Sequence, residues 1–455
     1  MKNKILIETI AAILILTAPL TTAISSSKTT YCLSKNVTTE FEILEPSKTI
    51  LSNEEKWTKT FGGRLTNEIG HCVEQTSDGG YIIIGGNEVG KTGTNGIWLI
   101  KLKSDGTREW VKKYPGGQGH CVKQTEDGGY ILVSNYFNSI SLMKTDANGE
   151  VEWSKIFNGL LWQYHAGDNI VQQTSDGGYI ITAMTDPYEF GFYDISLIKT
   201  DENGAEEWHK TYGKYNYRGC SVQKTADGGF ILLGDTANVH VSGKYGLVLI
   251  KADSNGSEEW NKTVYASSTW FTWGCLAQQT SDGGYVVFGY RGDYGGFIIK
   301  TDSNGNEEWH NLSIGELGYN EFYSAQQTSD GGYIITGGHM SLLPPGQLLL
   351  IKLNGAGEVE WNKKYGCEGG NRDIGMSVKE TSDGGYIIAG VKGIFRFYFL
   401  FNDIYVIKTD ANGDTSAISN QQISQQQSQQ STLTSQQASL KINQFLQTIM
   451  KTTTV

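Results

Sequence analysis

One motif, returning about every 50 residues, constrains this chain more than any other feature. Ser77-Asp78-Gly79-Gly80-Tyr81 reappears in closely similar form around Asp127, Asp176, Asp227, Asp282, Asp330 and Asp383, at intervals of 48 to 55 residues. A tryptophan keeps step with it, at Trp57, Trp110, Trp153, Trp208, Trp260, Trp309 and Trp361. A third landmark is an apolar run ending in a turn such as Lys199-Thr200-Asp201-Glu202-Asn203-Gly204. Units of this length stack or close radially, because one unit alone cannot bury its faces.

Each unit parses into four strands. In the first, Cys72 to Thr76 leads through Asp-Gly-Gly to Tyr81–Gly85; a variable loop precedes Ile97–Leu102, and a turn at 104–106 leads to the strand around Trp110. Asp-Gly-Gly and Asp-x-Asn-Gly are hairpin signals, since Gly and Asn accept the positive φ such turns require. Seven such sheets predict an all-β, seven-bladed propeller over residues 54–413. The phase of the repeat supports closure. The chain enters on a Trp strand (55–61) with no partner before it and leaves on a third strand (404–409) and turn with no Trp strand after it. The orphan at the start completes the last blade and removes an exposed edge.

The run from Lys251-Ala252-Asp253 through Gly256 to Trp260, followed by Gln279-Thr280-Ser281-Asp282-Gly283-Gly284-Tyr285, resembles the secreted and cell-surface repeat β-propellers of archaea and bacteria. Its Asp-x-x-Gly-x-x-x-Trp portion is similar to the tryptophan-docking repeats of quinoprotein propellers. The resemblance covers residues 54–413 and implies the fold and a docking role for the repeated Trp. It brings no catalytic residue with it.

The ends speak of address. A basic start, an apolar run and Thr21-Thr22-Ala23 read as a secretory signal over 1–23, followed by a linker at 24–53. A Gln/Ser-rich linker at 414–437 cannot build a core. In 438–455, Ile442, Phe445, Leu446, Ile449 and Met450 recur at helical spacing, which suggests a short amphipathic helix tethering the chain to a membrane or cell surface. The expected location is therefore secreted or cell-surface. A net charge of −11 argues against nucleic acid, and a monomer is expected.

Strand alternation puts every short repeated turn on one face and every variable loop on the other. The variable loops are rich in aromatics, and rings with polar tips anchor sugars and protein partners. Trp162, Tyr164, Tyr188, Phe192, Tyr217, Trp270, Trp273, Tyr294 and Phe397 are the candidate ligand-binding residues. Seven residues before each turn aspartate stand His71, His120, Asn169, Cys220, Cys275, Tyr323 and Met376, gathered near the channel mouth if the first strand is innermost. Of these, His71, His120, Cys220 and Cys275 have the chemistry of a soft divalent metal site, although no close Cys or His pair accompanies them. Cys72–Cys121 and Cys220–Cys275 are the disulfide candidates, with the spacing of blades weighing against both. The Asp-x-Asn-Gly turns lack the further ligands of a calcium loop and read as structural.

For catalysis the sequence offers little. It lacks sialidase boxes, an adjacent Cys-Cys pair and a Gly-x-Ser-x-Gly elbow, and no pair stands out among Asp168, Asp186, Glu189, Asp293 and Glu321. No catalytic residue and no cofactor are expected. The reading favours a binding or adhesion propeller for an extracellular glycan or protein. A carbohydrate-active enzyme with its site at the channel mouth and a structural surface-layer spacer are the alternatives.

Overall fold

The computed structural model describes residues 56–63, 66–87, 96–136, 139–161, 169–185, 193–213, 217–236, 245–267, 272–291, 295–314, 319–340, 346–366, 373–396 and 399–415. The expected signal, the stalk and the C-terminal helix lie outside them. Within them, seven four-stranded antiparallel sheets form seven blades. Blade 1 comprises Glu68–Gln75, Tyr81–Asn87, Gly96–Leu102 and Arg108–Pro115, paired in that order. Blade 7 comprises Ile374–Glu380, Tyr386–Arg396 and Phe399–Thr409, with Trp57–Phe61 as its fourth strand, in the register Trp57↔Lys408 to Phe61↔Ile404. The first strand of every blade packs against the first strands of both neighbours, and that of blade 7 returns to blade 1. The chain is a closed, seven-bladed β-propeller.

Burial falls from axis to rim, and composition follows it. Second and third strands lie between neighbouring sheets and are buried on both faces, as in Tyr81–Asn87 and Asp194–Thr200. They therefore read as near-continuous apolar runs. Fourth strands form the rim; Glu206–Tyr212 is mostly exposed and mostly polar.

Each Asp-Gly-Gly turn is a small polar cage. The Asp78 carboxylate accepts the Thr76 hydroxyl (2.5 Å), the Gly80 N–H (2.9 Å) and the Lys101 ammonium (2.7 Å). Lys101 also meets Glu109 at 3.1 Å, although its side chain is only 5% exposed. A buried ammonium is costly unless paired and hydrogen-bonded, and here it is both. Asp127 with Lys144, Asp176 with Lys199, Asp227 with Lys251, Asp282 with Lys300 and Asp330 with Lys352 repeat the arrangement. Despite partial burial, these hydrogen bonds and ammonium groups hold the aspartate at about 2 in each of these six turns.

Blades are tied to one another by the repeated landmarks. Trp110 of blade 1 meets Tyr130 of blade 2 edge-on at 6.0 Å and lies on Gly149 of the same blade. Gly149 has φ +75, and a Cβ there would come within 3.1 Å of the indole, so the close approach needs glycine. The same docking repeats to Trp361, which meets Tyr386 and Gly413. Glutamines at the ends of first strands add a second tie. The Ser77 N–H donates to Gln124 Oε1 of the next blade (2.8 Å), and across the seam the Ser382 N–H donates to Gln75 Oε1 (2.8 Å).

The variable loop expected in blade 7 is instead a hairpin. Pairing continues to Arg396↔Phe399, so Phe395 and Phe399 belong to strands and only residues 397–398 connect them. The extra length coincides with a run of β-branched and aromatic residues, in the backbone register Ile394↔Phe401 and Phe395↔Leu400.

Candidate functional site on the variable-loop face

The turn face is chemically occupied. A cleft of about 370 Å³ opens there between blades 1 and 2, lined by residues including Asp78, Lys101, Glu109, Trp110, Tyr130 and Asn148. Its charges are already spent on one another, Lys101 on Asp78 and Glu109. The rim turns are likewise satisfied from within. The Asp146 carboxylate accepts the N–H groups of Asn148 (2.9 Å) and Glu150 (2.8 Å), which is the work of a turn residue.

The opposite face holds buried carboxyl groups around the seam of blades 7 and 1. Glu68 starts the first strand of blade 1 and is fully buried. Its Oε2 accepts the Gly63 N–H at 3.3 Å. Burial raises its pKa, aided by the nearby Asp403 carboxylate and opposed by Thr66, the Gly63 N–H and Lys113. Asp403 lies in the third strand of blade 7 and stands opposite Lys392 in register. Gly62 passes so close that a Cβ would fall 2.1 Å from Asp403 Oδ1, so a larger residue there would displace the carboxylate. Asp373, just ahead of blade 7, accepts the Gly393 N–H at 3.0 Å. Burial pushes it up to about 6, against the pull of Lys392 and that N–H.

Two cations rest on aromatic faces beside these acids. Lys392 Nζ lies 4.5 Å from the Tyr405 ring centre and Lys113 Nζ lies 3.5 Å from that of Trp98. The neighbourhood thus offers two carboxyl groups whose pKa burial raises, Asp373 to about 6, together with ring faces and ammonium groups. Sequence reading missed Glu68, Asp373 and Asp403. The available signal was an acid directly ahead of an apolar run, as in Asp403-Ile404-Tyr405-Val406.

Six first strands carry a β-bulge at the same place, seen as a register shift across His71, His120, Cys220, Cys275, Tyr323 and Met376. The sequence position picked out for the channel mouth is therefore the bulged residue. His71 and His120 come together, with ring centres 5.0 Å apart. His71 is 2% exposed, and neither of its ring nitrogens has a hydrogen-bond partner; His120 Nε2 contacts Asn135 Nδ2 at 2.8 Å. Burial lowers both, His120 to about 4 and His71 well below its ordinary value, with His120 adding to the effect on His71. Both rings are neutral at pH 7. Tyr323 and Met376 join Ile374 and Val391 in a separate apolar cluster. Among the described residues, no three His, Cys, Asp or Glu side chains gather to hold a metal ion.

Of the expected ligand-binding residues, Trp162, Tyr164, Tyr188, Phe192, Trp270, Tyr294 and Phe397 lie outside the described residues. Tyr217 and Trp273 fall in first strands, opposite Thr236 and Tyr290 at the variable-face ends, and not in loops. Cys220 and Cys275 have described backbones only. One expectation is corrected. Blade spacing does not hold Cys72 and Cys121 apart: the thiols contact each other, because first strands converge at the axis.

The fold and this face define a closed propeller with a satisfied turn side and a side that carries the variable loops. Among solved structures it is similar to the Dos1 propeller, at 11% identity over 74% of this chain and 77% of that one, TM-score 0.45. It is similar to a europium-containing methanol dehydrogenase at 12% identity, covering 69% and 80% of the two chains, TM-score 0.38. It is also similar to Penicillium chrysogenum alpha-L-arabinanase complexed with arabinobiose, at 12% identity over 64% and 92%, TM-score 0.40. No family model matches the chain, and no curated protein matches it.

Proposed function

We propose that this chain is an exported, non-catalytic binding propeller that presents its aromatic-rich variable face to an extracellular glycan or protein. The observation that carries the reading is the division of labour between faces. On the turn face, carboxylates and ammonium groups are consumed within each blade's turn cage and tryptophans in docking blade on blade, whereas the loop aromatics have no part in the repeat. Variable insertions on one side of a repeat scaffold are where binding is placed. Glycan and protein arrays probed with the full chain test the reading. Binding that weakens tenfold or more in Trp162→Ala or Trp270→Ala supports it, and silence on both arrays overturns it.

A second reading is favoured by Asp373 and Glu68, whose raised pKa values suit proton donation. A carbohydrate-active enzyme would use such a carboxyl as general acid. Release of reducing ends from a polysaccharide panel, lost in Asp373→Asn, would replace the first reading with this one.

A further inference from the structure

Immediately after the bulge, three blades use a serine to hold the blade that follows. Ser221, Ser324 and Ser377 each accept a backbone N–H from the next first strand, from Ala277 (3.0 Å), Val378 (3.1 Å) and Val73 (3.1 Å). Blades 1 and 2 carry Cys72 and Cys121 at this position. Both are completely buried, and neither is in a disulfide. Cys72 Sγ approaches the Val122 carbonyl oxygen of blade 2 at 3.6 Å, and the Cys72 and Cys121 thiols hydrogen-bond to each other. The site is therefore an inter-blade tie in which two sulfurs from adjacent blades meet.

We propose that Cys72 and Cys121 are a disulfide-forming pair that covalently staples blade 1 to blade 2. The oxidant is a small-molecule disulfide. One cysteine thiolate attacks it, forming a mixed disulfide and expelling one thiol. The second cysteine thiolate then attacks the protein sulfur of that mixed disulfide and expels the other half. Two protein thiols and one small disulfide become one protein disulfide and two small thiols, which take up the two protons and the electron pair. The bond encloses the chain between residues 72 and 121, and closing a loop of that size restricts the unfolded state. The serines at the equivalent places hold neighbouring blades by hydrogen bonds alone. This proposal is independent of which ligand the variable face takes.

Purified full chain is reduced, then held with oxidised glutathione in mild urea so that the first strands open transiently. Denaturation, alkylation and peptide mapping then count free thiols and locate the bond. The expected product contains one Cys72–Cys121 cross-link, and its Tm lies about 5 °C above that of the reduced chain. That difference disappears in the double variant Cys72→Ser/Cys121→Ser. Full alkylation of both cysteines after oxidation, or their cross-linking only to other cysteines, overturns the proposal. Should the double variant not fold, the wild-type peptide map decides alone.

Discussion

Trp57 meets Tyr81 edge-on at 5.6 Å, and its Nε1 donates to the Ser104 carbonyl at 3.0 Å. Trp57 belongs to blade 7 and Tyr81 to blade 1, so this pair fastens the seam of the ring with the contact used at its six other junctions. No special lock is needed where the chain closes.

Trp57→Ala removes a 7%-exposed indole and leaves a void at the seam. Truncation of a buried Trp costs about 3–5 kcal/mol. Trp260→Ala, within an unbroken stretch of the ring, should lose similar stability in denaturant titration. Only Trp57→Ala should also speed proteolysis of the N-terminal strand. Equal protection of that strand in both variants would contradict this view of the seam.

Within each turn cage the cation and the anion are not equivalent. Asp227 is 59% exposed, whereas Lys251 is 4% exposed. Asp227→Ala leaves a buried ammonium with Glu259 as its remaining carboxylate and should destabilise the protein. Lys251→Met places an apolar chain in the same space and releases a carboxylate that water can solvate, so it should cost less. Thermal melts of the two variants rank them, and the reverse order would refute the argument.

The turn aspartates also set acid resistance. Their folded pKa of about 2 is below the unfolded value, so their contribution is present above about pH 4 and lost as pH falls through 2. Unfolding followed by circular dichroism from pH 5 to pH 1 should show stability lost mainly below pH 4.

Asp373 acts in the opposite sense. Its folded pKa of about 6 lies above the unfolded one, so the stability it contributes is complete below about pH 4 and lost as pH rises through 6. Lys392 and the Gly393 N–H face it and keep the loss finite, while the Tyr405 phenol beside it stays protonated and adds no charge. Asp373→Asn should flatten the Tm profile between pH 4 and 7 relative to wild type; an unchanged slope would show that Asp373 does not cause it.

The imidazole pair opposes Asp373 over part of this range. His120 titrates near 4 when folded and at its ordinary value when unfolded, so stability falls as pH drops from about 6.5 toward 4. His120→Gln should remove much of that loss, measured as the difference between variant and wild-type melts at pH 7 and pH 4.5.

The architecture was legible because turns carry local chemistry. Asp78 and Gly79 announce a hairpin wherever they occur, and seven occurrences in step with Trp announce a ring. The partial repeat at each end even revealed which strand completes blade 7. The seam acids were not legible, since nothing near Glu68 or Asp403 in sequence says that the two will meet; the ring brings together positions 68 and 403. The contact between Cys72 and Cys121 was hidden for the same reason, as it depends on how closely first strands converge. The bulges were half visible: spacing singled out His71 and His120, but only the pairing explains why that position leaves the ladder.

The strand that completes blade 7 is the first described strand of the chain, and its register partner for Trp57 is Lys408. A ribosome or an export channel delivering the chain from its N-terminus must therefore release nearly the whole propeller before the ring can shut. Until then Trp57–Phe61 is a strand without a sheet and the blade 7 sheet lacks its outer edge. Contacts this distant in sequence form slowly, because a large loop must close before they are rewarded. The propeller is thus organised as a single late-closing folding unit, and truncation at either end of 56–415 should deprive the same blade.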